Sequence, residues 1–483
     1  MFQLTQVLKH EPFIDNALSR FLLRRAVRST SFIGHVFFWM LKAEFHIENA
    51  RHRYETLLNI YCRNCGNHRI NLGHQSYLLT QLRNATQAVR NEKDKHVRKQ
   101  KLLKVLENVN TQLNDVEVYQ LPLDPLMCCK RIVIEECRVM GSKQAPLWLV
   151  FESAFPLPGG KDTFTVLYKE GDDLRQDQLV LQLMKTMDML WKGNKERPLD
   201  MNMCLYKCVA TGKMEGMLEI VENSSTIASI IKKSAKQDEA VSYLQKRWRA
   251  VKNFNKTGII SNWLNEQCEK QAMELRVNVR KSVQEQRSIR RSVQGQGSST
   301  QYRNSITNKD QLKLFVMKNY VSSVAGSIIS THILGIGDRH NDNYMLKTDG
   351  RFFHIDFGHI LGNWKEKGLM RVENRRFVFS ADMKHALGKE YDFFVRLCCK
   401  GYNILRKPEH GNLLLSMLIL SISCGLPELK EIGDLEWPVE KLMLSATDAE
   451  AEENLLIQLD KASGKKNKKS DLKNLAHLFK HAT

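Results

Sequence analysis

The sequence predicts an α+β chain in which a small, largely antiparallel sheet layer follows one helical region and precedes another. Three observations carry this. Residues 1–110 repeat apolar side chains at helical spacing, residues from about 120 to 222 break into short β-branched or aromatic runs, and the pattern turns helical again after Asn223.

In the first region Leu4, Val7 and Leu8 stand at i, i+3, i+4, Phe32, Val36 and Met40 repeat the spacing, and Tyr54, Leu57, Leu58 and Tyr61 follow. Short polar breaks between such segments suit antiparallel helix pairs. The string CRNCGNH (62–68) reads as a helix ending at Gly66, because zinc needs four ligands and no second CxxC pair exists. The charged run Gln81–Asn110 reads as a solvated helix and linker. LPLDP (121–125) is a proline-rich break. Candidate strands follow at Ile132–Ile134, Leu147–Phe151, Phe164–Tyr168, Leu205–Val209 and Leu218–Val221, with one helix from about Asp173 to Lys192. Lys233–Thr307 is basic and poor in core residues. Arg276–Arg303 holds seven Lys or Arg and one Glu, so an insertion of about 270–308 is expected to be disordered. Leu312–Leu334 reads as an apolar helix and Leu413–Ser423 as a buried core helix.

The 483 residues allow two or three domains, and a formal charge of +20 suggests an anionic partner. No run is long enough to span a membrane, and the eleven cysteines lack a disulfide-like framework, which points to a reducing compartment. No basic–aromatic reading motif appears, so nucleic acid is not expected as a partner.

The richest stretch is THILGIGDRHNDNYMLKTDGRFFHIDFG (331–358). Tyr344–Leu346 and Phe352–Ile355 flank Thr348-Asp349-Gly350, and an Asp-Gly pair between apolar runs predicts a hairpin. A closed hairpin brings Asn343 beside Asp356. An amide oxygen and a carboxylate are hard ligands suited to Mg²⁺, which shares its remaining positions with water and phosphate. Asp338 and His340 lie just upstream, where a hydroxyl nucleophile gives up its proton. The order of nucleophile orienter followed by two metal ligands is the order phosphoryl transfer uses.

That DRHNDN…DFG order resembles the phosphoinositide 3-kinase and 4-kinase superfamily, and further strings extend the likeness. SKQAPLWL (142–149) is similar to the family's phosphate-binding loop, LYKEGDDLRQDQL (167–179) to its ATP-lysine strand and following helix, and GMLEIVENSSTIASI (216–230) to its hinge. LTQVLKHEPFIDNALSRFLLRRA, IGHVFFWMLKAE, LPLDP and GLPEL resemble class I catalytic subunits. The resemblance implies a bilobal kinase-like fold. Residues 1–110 would be the end of a helical solenoid, 120–222 the N-lobe and 223–483 the C-lobe. It also implies a fragment or reduced form, without the family's Ras-binding, β-sandwich and adaptor-binding regions.

The implied cofactors are ATP and Mg²⁺. Lys169, Ser142 and Lys143 would hold phosphates, with Asp177 as the carboxylate partner of Lys169. Asp172 and Tyr206 would line the inner pocket. The backbones of Glu219 and Val221 would bond adenine, and Met140, Trp148, Leu218, Ile220, Met345 and Ile355 would sandwich it. Asp338 and His340 would handle the hydroxyl proton, and Asn343 and Asp356 would hold the metal.

Substrate choice is expected after DFG, where GNWKEKGLMRVENRRFVF (362–379) carries Lys365, Lys367, Arg371, Arg375 and Arg376, cations suited to a headgroup with several phosphates. The class I pattern Arg-Val-Pro-Phe appears here as Arg375-Arg376-Phe377, without the proline. DLKNLAHLFKHAT (471–483) resembles the family's membrane-contacting helix, with Asn474 where the aromatic anchor stands. The expected function is transfer of the ATP γ-phosphate to the inositol 3-hydroxyl of a phosphoinositide, phosphatidylinositol 4,5-bisphosphate in the first instance. Alternatives are a 3- or 4-kinase acting on the unphosphorylated lipid, and an inactive kinase-fold scaffold. The expected partners are lipid at a membrane surface and, as a candidate, a regulatory subunit. The expected place is cytoplasmic, peripheral to the plasma membrane or endomembranes.

Overall fold

In the computed structural model, six α-helices lead the chain: α1 (Phe2–Val7), α2 (Ala17–Arg28), α3 (His35–Ala43), α4 (Glu48–Asn64), α5 (His68–Arg90) and α6 (Lys95–Gln112). The structure describes residues 1–142, 144–156, 162–236, 257–274, 309–363, 366–367, 370–371 and 377–463. They fall into two units. One holds Met1–Lys185, Leu205–Glu222 and Leu413–Leu435; the other holds Thr186–Cys204, Asn223–Asn412 and the chain from Glu436 onward.

Helix starts in the first unit follow their caps. The Asn16 side chain accepts from Ser19 N–H at 2.8 Å while the Ser19 hydroxyl accepts from Asn16 N–H at 3.0 Å, a reciprocal box that opens α2. Asp94 caps α6 through the N–H groups of His96 and Val97. α4 ends at Asn64, and Gly66 takes the left-handed turn at φ +57°. The charged run Gln81–Asn110 is helical as expected, but it is not solvated all round. It completes α5 and supplies most of α6, with Ala85, Val89, Leu102, Leu106 and Val109 fully buried. Apolar residues four apart suffice to bury one narrow stripe while the rest of each turn stays charged.

The sheet begins earlier than the sequence suggests. β1 (Tyr119–Leu121) and β2 (Asp124–Ile132) pair antiparallel, so the proline-rich break is their tight turn, and Ile134–Glu136 is a single 3-10 turn. β3 (Arg138–Val139), β4 (Leu147–Ser153), β5 (Thr163–Glu170), β6 (Cys208–Gly212) and β7 (Glu215–Glu219) complete it. The order is β1-β2-β4-β5-β7-β6 with β3 also on β4, all antiparallel. α7 (Leu174–Lys192) follows β5. The core of this unit runs unbroken from helices to sheet: Trp39, Tyr54, Tyr61 and Leu82 belong to the same cluster as Leu147, Leu149 and Tyr168.

In the second unit β8 (Ser224–Thr226) leads into α8 (Ile227–Lys236), and a helix α9 spans 259–274. Over 259–274, α9 corrects the reading of 233–307 as poor in core residues, because Ile259, Ile260, Trp263, Leu264 and Cys268 are buried. Its residues 270–274 are helical rather than part of the expected insertion, whose remainder lies outside the described residues. Asp382 caps α9 from a distance, accepting from the N–H groups of Gly258, Ile259 and Ile260 at 2.5, 3.2 and 3.1 Å. α10 (Lys309–Leu334) is buried along nearly all of its last nineteen residues from Val316. Beyond a hairpin of β9 (Tyr344–Lys347) and β10 (Phe352–His354) come the short pair β11 (Glu366–Lys367) and β12 (Met370–Arg371). The last helices are α11 (Ala381–Leu387), α12 (Tyr391–Arg406), α13 (Pro408–Ile419), α14 (Glu436–Leu442) and α15 (Asp448–Ser463).

The run Leu413–Ser423 is not a buried core helix. Leu414 and Leu418 are buried, but Leu413, Ile419 and Leu420 are exposed at 43%, 47% and 40%. An apolar run reports which side chains could be buried, not how many faces of the helix meet a partner. Among the described residues no helix is long and apolar enough to cross a membrane. The segment 471–483 lies outside the described residues.

Candidate active site

α10 ends at Leu334, and the chain turns through Gly335 at φ +56°. The loop that leaves here is closed at its base by Gly337 N–H to His359 O (2.9 Å), Leu361 N–H to Leu334 O (2.7 Å) and Gly362 N–H to Gly335 O (3.0 Å). A Cβ on Gly335 or Gly362 would collide with the Trp437 ring, so both positions require glycine. Everything from Asp338 to Gly358 hangs from this clasp.

Within it, β9 and β10 pair as Leu346 with Phe352, Met345 with Phe353 and Tyr344 with His354. The Asp349-Gly350 turn is built as the sequence reads it, with Gly350 at φ +92° and its N–H on Lys347 O at 2.8 Å. α10 fixes the hairpin: Ser323 Oγ accepts from Phe352 N–H at 2.8 Å, and Asn319 Nδ2 donates to Asp349 O at 2.9 Å. One step past the hairpin's open end, Ile355 N–H reaches Asn343 O at 3.0 Å, which sets Asn343 and Asp356 on adjoining strand ends.

Asp338 and Asp356 both lie in the left-handed region, at φ +52° and +62°. Two non-glycine residues there store strain that the surroundings must hold. The holder is Arg339. Its guanidinium donates to Gly337 O (2.7 Å), Asn343 O (3.1 Å), Ile355 O (2.8 Å) and Asp356 O. One planar fork thus ties both ends of the hairpin to the turn before it. Sequence reasoning passed over Arg339. Its signal was an arginine between an Asp and a His in a loop, a position where backbone carbonyls rather than carboxylates are its partners.

Asn343 Nδ2 donates to Asp338 O at 2.9 Å, which leaves its side-chain oxygen as the group that can coordinate. The Asp356 carboxylate is exposed and has no hydrogen-bond or ion-pair partner among the described residues. This oxygen-only pair fits Mg²⁺, whose other positions go to water and phosphate. Among the described residues no cluster of three His, Cys, Asp or Glu could hold a metal. His340 Nδ1 accepts from Asp342 N–H at 3.3 Å, so a neutral ring carries its hydrogen on Nε2. His354, the last residue of β10, is buried, and burial, reinforced by Arg339, holds its pKa well below the usual histidine value.

In the first unit, Lys169 stands at the end of β5. Its Nζ lies 3.3 Å from Asp172 Oδ2, so the turn residue is one carboxylate it pairs with. Asp177, the expected partner, sits in the first turn of α7 and is buried. Burial raises the pKa of the Cys208 thiol, Asp177 raises it further and Lys169 lowers it, which puts both charges near one sulfur. The Trp148 ring is covered on one face by the Arg138 guanidinium, 4.0 Å from its centroid. A base could stack only on the other. Ser142 is exposed in a turn closed by Ala145 N–H to Ser142 O at 3.0 Å; Lys143 lies outside the described residues. In the hinge, Glu219 N–H is given to Lys207 O at 2.9 Å and Ile220 N–H to Thr165 O at 3.1 Å, so Glu219 offers a base only its carbonyl. Val221 follows two residues on, and Tyr206 is buried. Met345 and Ile355 are half-buried on the hairpin of the second unit. Lys365, Arg375 and Arg376 lie outside the described residues, while the backbones of Lys367 and Arg371 form β11 and β12.

Comparison with known proteins adds two family matches: residues 163–431 match the phosphatidylinositol 3- and 4-kinase family, and residues 1–74 match the phosphoinositide 3-kinase family accessory domain. The chain is 36% identical over 457 residues to phosphatidylinositol 3-kinase 2 of Dictyostelium discoideum, covering 94% of this chain and 21% of that protein. It is 33% identical over 486 aligned residues to phosphatidylinositol 3-kinase 1 of the same organism, covering 100% of this chain and 27% of that one. The chain therefore spans about a quarter of the length of the curated relatives it matches.

Proposed function

This chain belongs to the phosphatidylinositol 3- and 4-kinase family, and from that membership we propose that it transfers the γ-phosphate of ATP to the inositol 3-hydroxyl of a membrane phosphoinositide. The observation that carries the proposal is the loop 338–358. There Arg339 holds the carbonyls of Gly337, Asn343, Ile355 and Asp356, so that Asp338, Asn343 and Asp356 keep fixed positions. Fixed positions matter because phosphoryl transfer asks a protein for placement and charge more than for covalent chemistry.

In this reading Asn343 and Asp356 hold Mg²⁺, which when bound neutralises charge on the transferring phosphoryl group. Asp338 accepts the proton of the inositol hydroxyl. His340, with its hydrogen on Nε2, donates to the charge that develops as the bond forms. Lys169, Ser142 and Lys143 hold nucleotide phosphates, Asp172 keeps the Lys169 ammonium in place, and the Glu219 carbonyl and the Val221 backbone bond adenine. Tyr206, Trp148, Met345 and Ile355 shape the apolar surround. Lys365, Lys367, Arg371, Arg375 and Arg376 favour a headgroup already carrying phosphates, which makes phosphatidylinositol 4,5-bisphosphate the preferred substrate. Such a substrate puts the protein at the cytoplasmic face of a membrane, with a regulatory subunit as a further candidate partner.

Chromatography of the products formed from phosphatidylinositol, its 4-phosphate and its 4,5-bisphosphate tests this. A 3-phosphorylated product formed fastest from the bisphosphate is expected. A 4-phosphorylated product, or none from any of the three lipids, would overturn it.

A further inference from the structure

We propose that Arg83, on α5, is a positioning residue for Lys169, so that the helical segment at the start of the chain tunes the nucleotide affinity of the sheet that follows it. This rests on the reading of Lys169 as a phosphate ligand.

β5 and β7 stay paired to their shared end: Lys169 faces Gly216, Glu170 faces Glu215, and Gly171 N–H reaches Met214 O at 2.6 Å. A strand end next to a turn is where a sheet opens most easily. Here α5 holds it shut. Arg83, Gln87 and Arg90 stand at i, i+4, i+7 and share one face of that helix. Arg83 grips the Glu215 carboxylate with two parallel bonds, both 2.8 Å. Arg90 Nη2 donates to Glu170 O at 2.9 Å, and Gln87 Nε2 to Glu170 Oε1 at 3.5 Å.

Glu215 is only 3% exposed, and the chemistry proposed above gives it nothing to do. A carboxylate so buried has to be paired. Its partners besides Arg83 are two hydroxyls, Tyr168 at 3.2 Å and Thr211 at 3.4 Å. Hydroxyls do not balance its charge; Arg83 is the cation hydrogen-bonded to it, with Lys42 acting on it from farther off, and the pairing holds the arginine's pKa above its usual value. Tyr168 and Lys169 are adjacent in β5, so their side chains leave opposite faces of the sheet. On the Gly216 side, a Cβ would collide with Val209 O and press on Leu174, the first residue of α7. The backbone pair that carries Lys169 is therefore held through Glu215 by α5 and through Gly216 by α7. An ammonium one residue from this clamp keeps its place only while the clamp is closed.

The test is equilibrium titration of the full chain with a fluorescent ATP analogue and Mg²⁺, alongside melting temperature. The variants are Arg83→Ala, Arg90→Ala, Arg83→Glu, Glu215→Arg and the last two combined. We expect Arg83→Ala to weaken binding about tenfold, the weight of one bidentate charged pair, and Arg90→Ala to weaken it about threefold. The charge-swapped double variant is expected to regain most of what either single reversal loses, and the affinity losses are expected well below each variant's melting temperature, where lost stability alone would leave binding unchanged. Should Arg83→Ala fail to fold, Arg90→Ala reads the same effect from a bond to the Glu170 carbonyl, and it leaves the Glu215 carboxylate paired with Arg83. Affinities of both alanine variants within about twofold of the native chain, or reversals whose losses simply add, would overturn the proposal. Native chain that binds the nucleotide but yields no 3-phosphorylated lipid would overturn the substrate reading and leave this one standing.

Discussion

Replacing Arg339 by alanine is expected to cost this chain most of its catalytic rate while leaving its fold in place. Arg339 is 7% exposed, and its guanidinium donates to four carbonyls, those of Gly337, Asn343, Ile355 and Asp356. Without it, Asn343 O keeps the Ile355 N–H at 3.0 Å, but the other three carbonyls lose this donor. An unsatisfied buried acceptor costs roughly 1–3 kcal/mol. Asp356 is exposed, so water replaces part of the loss there, and a net cost of about 3 kcal/mol to the ordered loop is a fair sum for three groups. Two non-glycine residues in the loop already sit at positive φ, so the strained arrangement has little to hold it once the fork is gone. The ends that carry Asp338, Asn343 and Asp356 then drift, and misplacement by about 1 Å costs on the order of a hundredfold in rate. Arg339→Lys is informative beside it: a single ammonium cannot reach four carbonyls at once, so about a tenfold loss is expected. The assay is initial rate of lipid phosphorylation at saturating ATP, with thermal melting as the fold control. An Arg339→Ala variant within about threefold of the native rate would refute the assignment of the loop's order to this side chain.

Three further outcomes are expected. Asp356→Asn should abolish turnover without shifting the melting temperature, because a neutral amide is a poor Mg²⁺ ligand; turnover within about threefold of native would remove Asp356 from the metal site. The helical segment should lose stability in acid. His68 is buried beside His35, and burial first, then that second ring, lowers its pKa from 6.5 to about 4. The unfolded chain therefore takes up the proton first, so the contribution is whole above pH 6.5 and disappears as pH falls toward 4, a loss of about 3 kcal/mol once complete. Urea unfolding followed from pH 7 to pH 4 should show it, and an unchanged slope in His68→Gln would discount it. Lastly, a Lys365→Ala, Lys367→Ala double variant should lose at least about tenfold more rate on phosphatidylinositol 4,5-bisphosphate than on phosphatidylinositol in vesicles of matched charge. Equal losses would make the loop a general membrane contact.

The sequence by itself determined what depends on neighbours along the chain. Helical spacing in residues 1–110, the Asp-Gly turn and the apolar runs beside it follow from backbone preference and side-chain period, which are local properties. The register that brings Asn343 beside Asp356 was therefore legible, since a short hairpin's turn dictates its pairing. Where the reading went wrong, the deciding quantity was a partner far away in sequence. Leu413–Ser423 is apolar on several faces, yet only some of them are covered. α9 looked too basic for a core until Ile260, Trp263 and Leu264 found one, with Asp382 capping it from 122 residues on. LPLDP looked like a break because β1 has too few residues to announce a strand. The same holds within the site. That an acid, an amide and a histidine gather around one loop is written in residues 338–358, whereas the arginine that holds them there is recognised only from the four carbonyls around it. Backbone carbonyls are present at every position of every sequence, so a side chain whose partners are carbonyls leaves no pairing signal to read. Only the folded chain decides which of them converge on it.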